Sequence, residues 1–238
     1  PISIIIAARN ESDNLFNNLP FILEQDYPEF EVIVVNHQSI DESYHILNAY
    51  KMKYPNLRVI EIEKSKHIRI GKKLPITLGI KSAKYEHLLL TDADCKPNTS
   101  RWIYQMASSF VYQKDLVLGF SPYSVNDGFL NKLLRFDTIF IAVNYFSFAL
   151  AKIPYMGVGR NIAYTKSLFN SVNGFKSHYA LSSGDDDLFV QDVSDVADIQ
   201  IMIHEESYVT SESKSTLSEW ILQKSRHFTT SERYSVIK

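Results

Sequence analysis

The sequence has a single cysteine, Cys95, among 238 residues. One thiol cannot form an internal disulfide or a cysteine-built zinc site, and the lone cysteine fits a reducing compartment. Charge of one sign is also scarce, because 25 Lys and Arg stand against 27 Asp and Glu for a net charge of −2. A domain that tracks nucleic-acid phosphates carries a strongly basic face, so polymeric nucleic acid is excluded as the expected partner. There are no internal repeats, no low-complexity tract and no Pro- or Gly-rich linker, which makes one continuous domain the simplest organisation. The sequence opens on Pro1 without an initiator Met or a signal peptide, and the expectation is a fragment of a longer protein with flanking segments removed.

No uninterrupted apolar run of the roughly 20 residues a membrane span needs is present. The nearest is FDTIFIAVNYFSFALAKI, Phe136 to Ile153, broken by Asp137, Asn144 and Lys152. Its apolar residues surround much of a helical circumference. The spacing predicts a core helix, with a membrane-facing or acceptor-facing helix as the other reading.

What the chain does have is alternation. Apolar strand-like runs at Ile2 to Ala8, Phe30 to Asn36, Leu57 to Ile62 and His87 to Asp92 alternate with helical spacing over 14–25, 41–54 and 72–82. This order predicts βαβ units in a parallel sheet with helices on both faces. A further helix over 99–113 and a strand over 116–121 follow, after which the regularity stops. Ligands of such sheets lie beyond the carboxyl ends of the strands, so 7–10, 36–41 and 92–94 are expected to face one crevice.

Two carboxylates, Asp92 and Asp94, close the fourth strand-like run in HLLLTDADCKP. They repel unless a positive group sits beside them. A divalent ion on a diphosphate satisfies that need, since Mg²⁺ or Mn²⁺ uses one or two carboxylates plus phosphate oxygens. A bland reading has Asp94 cap a following turn, with Pro97 and Asn98 completing it. In SSGDDDLF, Ser182 to Phe189, three consecutive aspartates suit a helix start, with Ser182 or Ser183 as the cap. One of these acids can serve as a general base, its pKa raised by its neighbours. RIGKK, Arg69 to Lys73, stands just before a helix whose free N–H groups can join it around phosphate. QKSRHF, Gln223 to Phe228, gathers Gln223, Arg226 and His227 on one turn as donors to a diphosphate or a sugar.

Taken together, SIIIAARNESDNL, VVNHQSIDES, GKKLPITLGIKSA, LLLTDADCKP, GVGRNIAYTKSLFNSVNGF, SGDDDLF and QKSRHF resemble the family 2 glycosyltransferases of GT-A fold. The pieces come in the family's order and cover nearly the whole chain; the last two look like motifs of membrane-bound synthases. The resemblance implies an α/β, Rossmann-like, mixed mostly parallel sheet with helices on both faces. It implies a nucleotide-sugar-binding half over 1–122 and an acceptor-binding half over 123–238.

It also implies residue roles. Ala8, Arg9 and Glu11 would hold the nucleotide, with His37 and Lys72 in the same donor site. Asp92 would contact ribose or metal and Asp94 would coordinate Mn²⁺ or Mg²⁺. Asp186 would be the catalytic base with Asp185 the runner-up, and Gln223 and Arg226 would face the diphosphate or acceptor. The implied activity is inverting transfer from a nucleoside-diphosphate sugar to a glycan or lipid-linked acceptor, at the cytoplasmic face of a membrane. Two positions depart from the family. His37 stands where an Asp often reads uracil, and His227 replaces the motif's Trp, so neither uridine specificity nor polymer formation carries over. A catalytically inactive nucleotide-sugar-binding module is the alternative. Haloacid-dehalogenase-like phosphatases also place D-x-D after a strand, but Lys96 and Phe189 occupy positions where their motifs need Thr or Val and an acid.

Overall fold

The computed structural model describes residues 1–65, 70–181 and 183–228, with 226–228 as helical backbone. The first four strands lie where alternation placed them: β1 (Ile2–Ala8), β2 (Phe30–His37), β3 (Leu57–Ile62) and β4 (His87–Asp92). Helices α1 (Ser12–Leu23), α2 (Ser43–Lys53) and α3 (Lys73–Ser82) connect them. β5 (Cys95–Pro97), α4 (Trp102–Ser108) and β6 (Leu116–Gly119) follow. The remaining elements are α5 (Phe129–Leu150), β7 (Ile162–Thr165), α6 (Lys166–Ser171), α7 (Asp187–Val193), β8 (Ile199–Met202), β9 (Val209–Ser211) and α8 (Leu217–Phe228).

Seven strands form one sheet in the order β3-β2-β1-β4-β7-β6-β8, and β5 pairs with β9 in a separate two-stranded ribbon. Neighbours among β1 to β4 are parallel, as is β6 with β8; β7 runs against both β4 and β6. Side chains alternate between faces with period two, so a strand covered on both sides must be apolar throughout. Ile2, Ile4 and Ile6 of β1 join one core cluster and Ile5 the other; Val32 and Val34 of β2 oppose Ile33 and Val35 in the same way. On the second face α3 comes so close that a Cβ on Gly79 would stand 2.6 Å from Ile5 Cγ2.

The chain departs from the sequence reading at four places. The helix expected over 99–113 ends as α-helix at Ser108 and continues as a 3₁₀ turn, Ser109–Tyr112. The strand expected to reach residue 121 stops at Gly119. Asp94 is followed by β5 rather than by a capped turn.

The largest correction concerns α5. It starts at Phe129, after Gly128 at φ 106°, where the Asn131 side chain accepts from Asn126 N at 3.0 Å and donates to the Ser124 carbonyl at 2.9 Å. It is also not a core helix: only Asn131, Leu134, Ala142 and Tyr145 are buried. Phe129, Phe136, Ile139, Phe140, Val143 and Leu150 are exposed. The apolar surplus therefore forms an outer face at helical spacing instead of entering the sheet's core. α5 is long and apolar enough to cross a membrane, the one such helix among the described residues.

Candidate functional site

The strand order reverses between β1 and β4, which opens a crevice at their carboxyl ends. Two loops shape its floor. Asn10 and Gln38 both have left-handed backbones, at φ 55° and 56°. The Asn10 backbone donates to Ser39 Oγ at 2.9 Å, and its side-chain oxygen accepts from Ile40 N at 2.9 Å. Asp41 takes the Ser12 N–H at 2.9 Å, so a residue of the second loop satisfies a free donor at the start of α1.

The crevice has a volume of about 360 Å³, in the range of small-ligand sites. Ala8, Arg9, Glu11, His37, Lys72, Asp92, Asp185, Asp186 and Gln223 all line it. Asp94 does not line it; its Oδ1 accepts weakly from Cys95 Sγ at 3.5 Å. The Arg226 and His227 side chains, Arg69 and Ser182 lie outside the described residues.

Lys72 ties these acids together. Its Nζ donates to Asp92 Oδ1 at 2.6 Å. Burial pulls its pKa down, but Asp92, Asp185 and Asp94 outweigh that and hold it above the usual lysine value. The positive partner that the Asp92–Asp94 pair requires is thus built into the chain. Arg160, from the loop before β7, is a second one: burial lowers its pKa, while Tyr123, Cys95, Asp94 and Asp92 more than offset this. Its Nη1 donates to Ser211 Oγ of β9 at 2.7 Å, and its guanidinium stands 4.8 Å from the Tyr123 ring centre. Its carbonyl accepts from Thr91 Oγ1 at 2.9 Å, which anchors it to the end of β4.

Negative charge remains in excess. Asp94 has its pKa raised by burial and then by Asp92, against the opposing pull of Lys72 and Arg160. Glu11 is raised by burial, in part countered by its hydrogen bond from Asn14, and raised further by Asp94 and Asp92. Asp92, Asp94, Glu11 and Asp185 together outnumber Lys72 and Arg160, and an acidic excess of this kind suits a divalent cation. No group of three or more His, Cys, Asp or Glu side chains placed to hold a metal occurs among the described residues. Asp92 and Asp94 fit an ion whose remaining ligands are phosphate oxygens and water.

Opposite them stands the acidic loop. Gly184, at φ 97°, turns the chain into Asp185. The expected serine cap is replaced by Asp186, whose Oδ1 accepts from Asp187 N at 2.9 Å. Its Oδ2 accepts from Gly159 N, also at 2.9 Å. Asp187 takes the Leu188 N–H at 2.8 Å, while Asp186 spans the Asp187 and Gly159 amides and takes the cap. Burial first, then Asp185 and Asp187, push the Asp186 carboxyl up to about 7 despite both hydrogen bonds. Asp185 is raised as well, by burial and by Asp92, with Lys72 opposing.

His37 is buried; burial lowers its pKa, a hydrogen bond to the Gly71 backbone opposes that, and Arg9 lowers it further. Gln223 sits where the crevice meets a smaller hollow of about 70 Å³ between α5 and α8. Trp220, Tyr123 and an ion pair between Lys224 and Asp137 at 2.5 Å line that hollow.

Sequence reading assigned no role to Gly159, Arg160 or Tyr123, and it set Lys73 with the basic group around phosphate, whereas the Lys73 Nζ is taken up by three backbone carbonyls. Gly159 and Arg160 lie in GVGRNIAYTK, where two glycines and a cation before a strand are the available signal; Tyr123 carries none.

Residues 3–172 match the sequence profile described as "Glycosyl transferase family 2". The poly-beta-1,6-N-acetyl-D-glucosamine synthase of Staphylococcus epidermidis is 32% identical over 93 residues, 39% of this chain and 21% of that protein. The chain therefore spans a small part of the curated synthase it matches. Among solved structures, S. aureus TarS 1-349 in complex with UDP-GlcNAc superposes with a TM-score of 0.66 at 21% identity, over 90% of this chain and 59% of that one. The mannosyltransferase PcManGT from Pyrobaculum calidifontis, in complex with GDP-Man and Mn²⁺, gives 0.70 at 18% identity, over 100% of this chain and 65% of that one. The shared architecture is the GT-A fold, as expected from the motif order.

Proposed function

Because this chain belongs to glycosyl transferase family 2, we propose that its crevice transfers a sugar, with inversion, from a nucleoside-diphosphate sugar to a hydroxyl of a glycan or lipid-linked acceptor. The observation that carries the reading is Lys72 at the start of α3, bonded to Asp92 and within electrostatic reach of Asp185 and Asp94. A cation at a helix N-terminus beside backbone N–H groups suits a diphosphate. Neighbouring structures in complex with UDP-GlcNAc and with GDP-Man and Mn²⁺ support the donor class and a divalent ion. Asp94 and Asp92 would hold Mn²⁺ or Mg²⁺, and the ion's contribution when bound is to neutralise charge on the departing diphosphate.

The chain's own residues supply the rest. Asp186 accepts the acceptor's hydroxyl proton; each of its oxygens gives one lone-pair direction to an amide and keeps another free. The acceptor oxygen then bonds to the anomeric carbon as the bond from that carbon to the diphosphate oxygen breaks, its electron pair leaving on the diphosphate. Lys72 and the α3 N-terminus stabilise that charge, and electrostatic stabilisation of this kind supplies most of the rate enhancement in many enzymes. A positioned base contributes roughly 10²–10⁴-fold. Residues 1–122 serve the donor, and 123–238, with Tyr123, Trp220 and Gln223 around the adjoining hollow, serve the acceptor.

The proposed setting is the cytoplasmic face of a membrane. The exposed Phe136, Ile139, Phe140 and Val143 of α5 support it, as do Lys132 and Lys152 near its ends, an arrangement that suits a lipid interface.

The test is thermal-shift screening with UDP-, GDP- and CMP-linked sugars, with and without Mn²⁺, followed by assay of release of the nucleoside diphosphate. Metal-dependent stabilisation with release is expected. Stabilisation without release from any donor would leave a binding module, and neither effect would overturn the reading.

A further inference from the structure

Lys73, adjacent to Lys72, is 4% exposed although it carries an ammonium group. Its Nζ donates to three carbonyls: His178 at 2.5 Å, Leu181 at 3.2 Å and Ser183 at 2.7 Å. An ammonium has three protons and no acceptor, so these bonds exhaust it. Lys73 therefore has no donor left for a substrate, unlike its neighbour.

We infer that Lys73 is a positioning residue that sets the distance between the acidic loop and the donor site, an inference that rests on the transferase reading of the crevice. Its partners are backbone oxygens spread over 178–183, so it holds the path of the chain rather than one side chain. That path leads directly into Gly184, Asp185 and Asp186. At the other end, Lys73 opens α3 one residue after Lys72, whose Nζ holds Asp92 at the end of β4. Two consecutive residues thus fasten the two sides of the crevice to one rigid helix. A shift of α3 moves the diphosphate cation and the base together.

The charge arrangement agrees with the hydrogen bonds. A buried ammonium is tolerated only where dipoles and opposite charges replace its water. Three carbonyls do this directly, and Asp185, Asp187, Asp186 and Asp192 lie within electrostatic reach. A neutral residue at 73 would leave the carbonyls turned inward without donors and remove a cation within electrostatic reach of the acidic run, so 178–186 would relax away from Lys72. A tether that serves stability alone would lower the melting temperature without changing turnover by the folded molecules.

Lys73→Met and Lys73→Arg are compared with the unaltered chain in three measurements: donor dissociation constant by calorimetry, kcat at saturating donor, and hydrogen exchange across 178–186. For Lys73→Met, kcat is expected to fall by about 100-fold, the effect of a displacement of order 1 Å in a positioned group. The donor constant should stay within about threefold, because a displaced base removes an interaction made only in the transition state. Exchange across 178–186 should quicken. Lys73→Arg, which keeps the charge and the donors, should recover about tenfold of the loss.

An unchanged kcat in folded Lys73→Met overturns the inference. So does a kcat that falls in proportion to donor affinity, or unaltered exchange across 178–186. If Lys73→Met does not fold, Lys73→Arg decides: its larger head must spread the carbonyl cage and cost about tenfold in kcat at constant donor affinity, and wild-type kcat overturns the inference. Failure of the transferase reading shows separately, as absence of turnover by the unaltered chain; the exchange measurement needs no substrate and still tests the tether.

Discussion

Gly159 donates its backbone N–H to Asp186 Oδ2 at 2.9 Å, which joins the loop before β7 to the start of α7 across the crevice. A second amide, that of Asp187, holds Oδ1. The carboxylate is therefore fixed in orientation before any acceptor arrives, yet burial and its acidic neighbours keep its proton affinity near that of a histidine. Fixed direction together with a pKa close to working pH is what general-base chemistry requires.

Replacing Asp186 by Asn keeps one oxygen acceptor for an amide and removes the base. Turnover should fall by at least about 10³-fold while donor affinity, measured by calorimetry, changes by less than about threefold. Asp185→Asn should cost less. Equal turnover in Asp186→Asn and the unaltered chain would remove Asp186 from the role.

The same carboxyl makes stability depend on pH. Its pKa rises on folding, from 3.8 to about 7, so the native state binds the proton more tightly than the unfolded state does. This contribution is full below the unfolded pKa and is lost as pH rises through the folded value. The melting temperature of the ligand-free chain should decline between about pH 4 and pH 7 from this group. Asp186→Asn should flatten the decline in differential scanning calorimetry, and an identical slope in both proteins would refute the assignment.

Lys72→Met removes the proposed diphosphate cation and leaves Arg160 as the remaining counter-charge to Asp92 and Asp94. Donor affinity should weaken by roughly 10- to 100-fold, the scale of a charge-assisted bond to a phosphate. Because the Lys72 side chain is 47% exposed, solvent screening limits the ion pair's part in stability. The melting temperature should hardly move, and a large drop would show that Lys72 acts in folding instead.

Phe136→Asp with Phe140→Asp places charge on the outer face of α5, away from its buried residues. Binding to vesicles containing anionic lipid should be lost in co-sedimentation, while donor binding and melting temperature remain. Retained vesicle binding would exclude this face, and a change in sedimentation coefficient without vesicles would indicate contact between copies instead.

Asn161 tests how the loop carrying Gly159 and Arg160 is held. It is fully buried, accepts from Trp102 Nε1 at 3.0 Å, and donates to the Phe120 and Ser207 carbonyls at 2.8 Å and 2.9 Å. Asn161→Ala leaves one donor and two acceptors unpaired, at about 3 kcal/mol. The melting temperature should drop by roughly 6–12 °C, with donor affinity reduced as Arg160 is released.

Much of this protein is determined by local pattern. β1 to β4 and the helices between them are legible because period-two and period-3.6 burial write themselves into neighbouring residues, and acids at strand ends face the crevice once the sheet is parallel. That Asp92, Asp185 and Asp186 share one crevice with Lys72 follows from motif order and the parallel sheet together. The sequence cannot state which of three consecutive aspartates takes the α7 cap, because Gly159, the donor that selects Asp186, lies 27 residues away. Nor does it say that Lys73 turns inward to carbonyls more than a hundred positions on, while Lys72 beside it reaches Asp92. The apolar surplus of α5 has the same character: hydrophobicity is local, but which face meets the core depends on what packs there. Strands and helices follow from nearest neighbours in the chain, whereas partners, caps and exposed faces follow from contacts made only when distant segments are brought together.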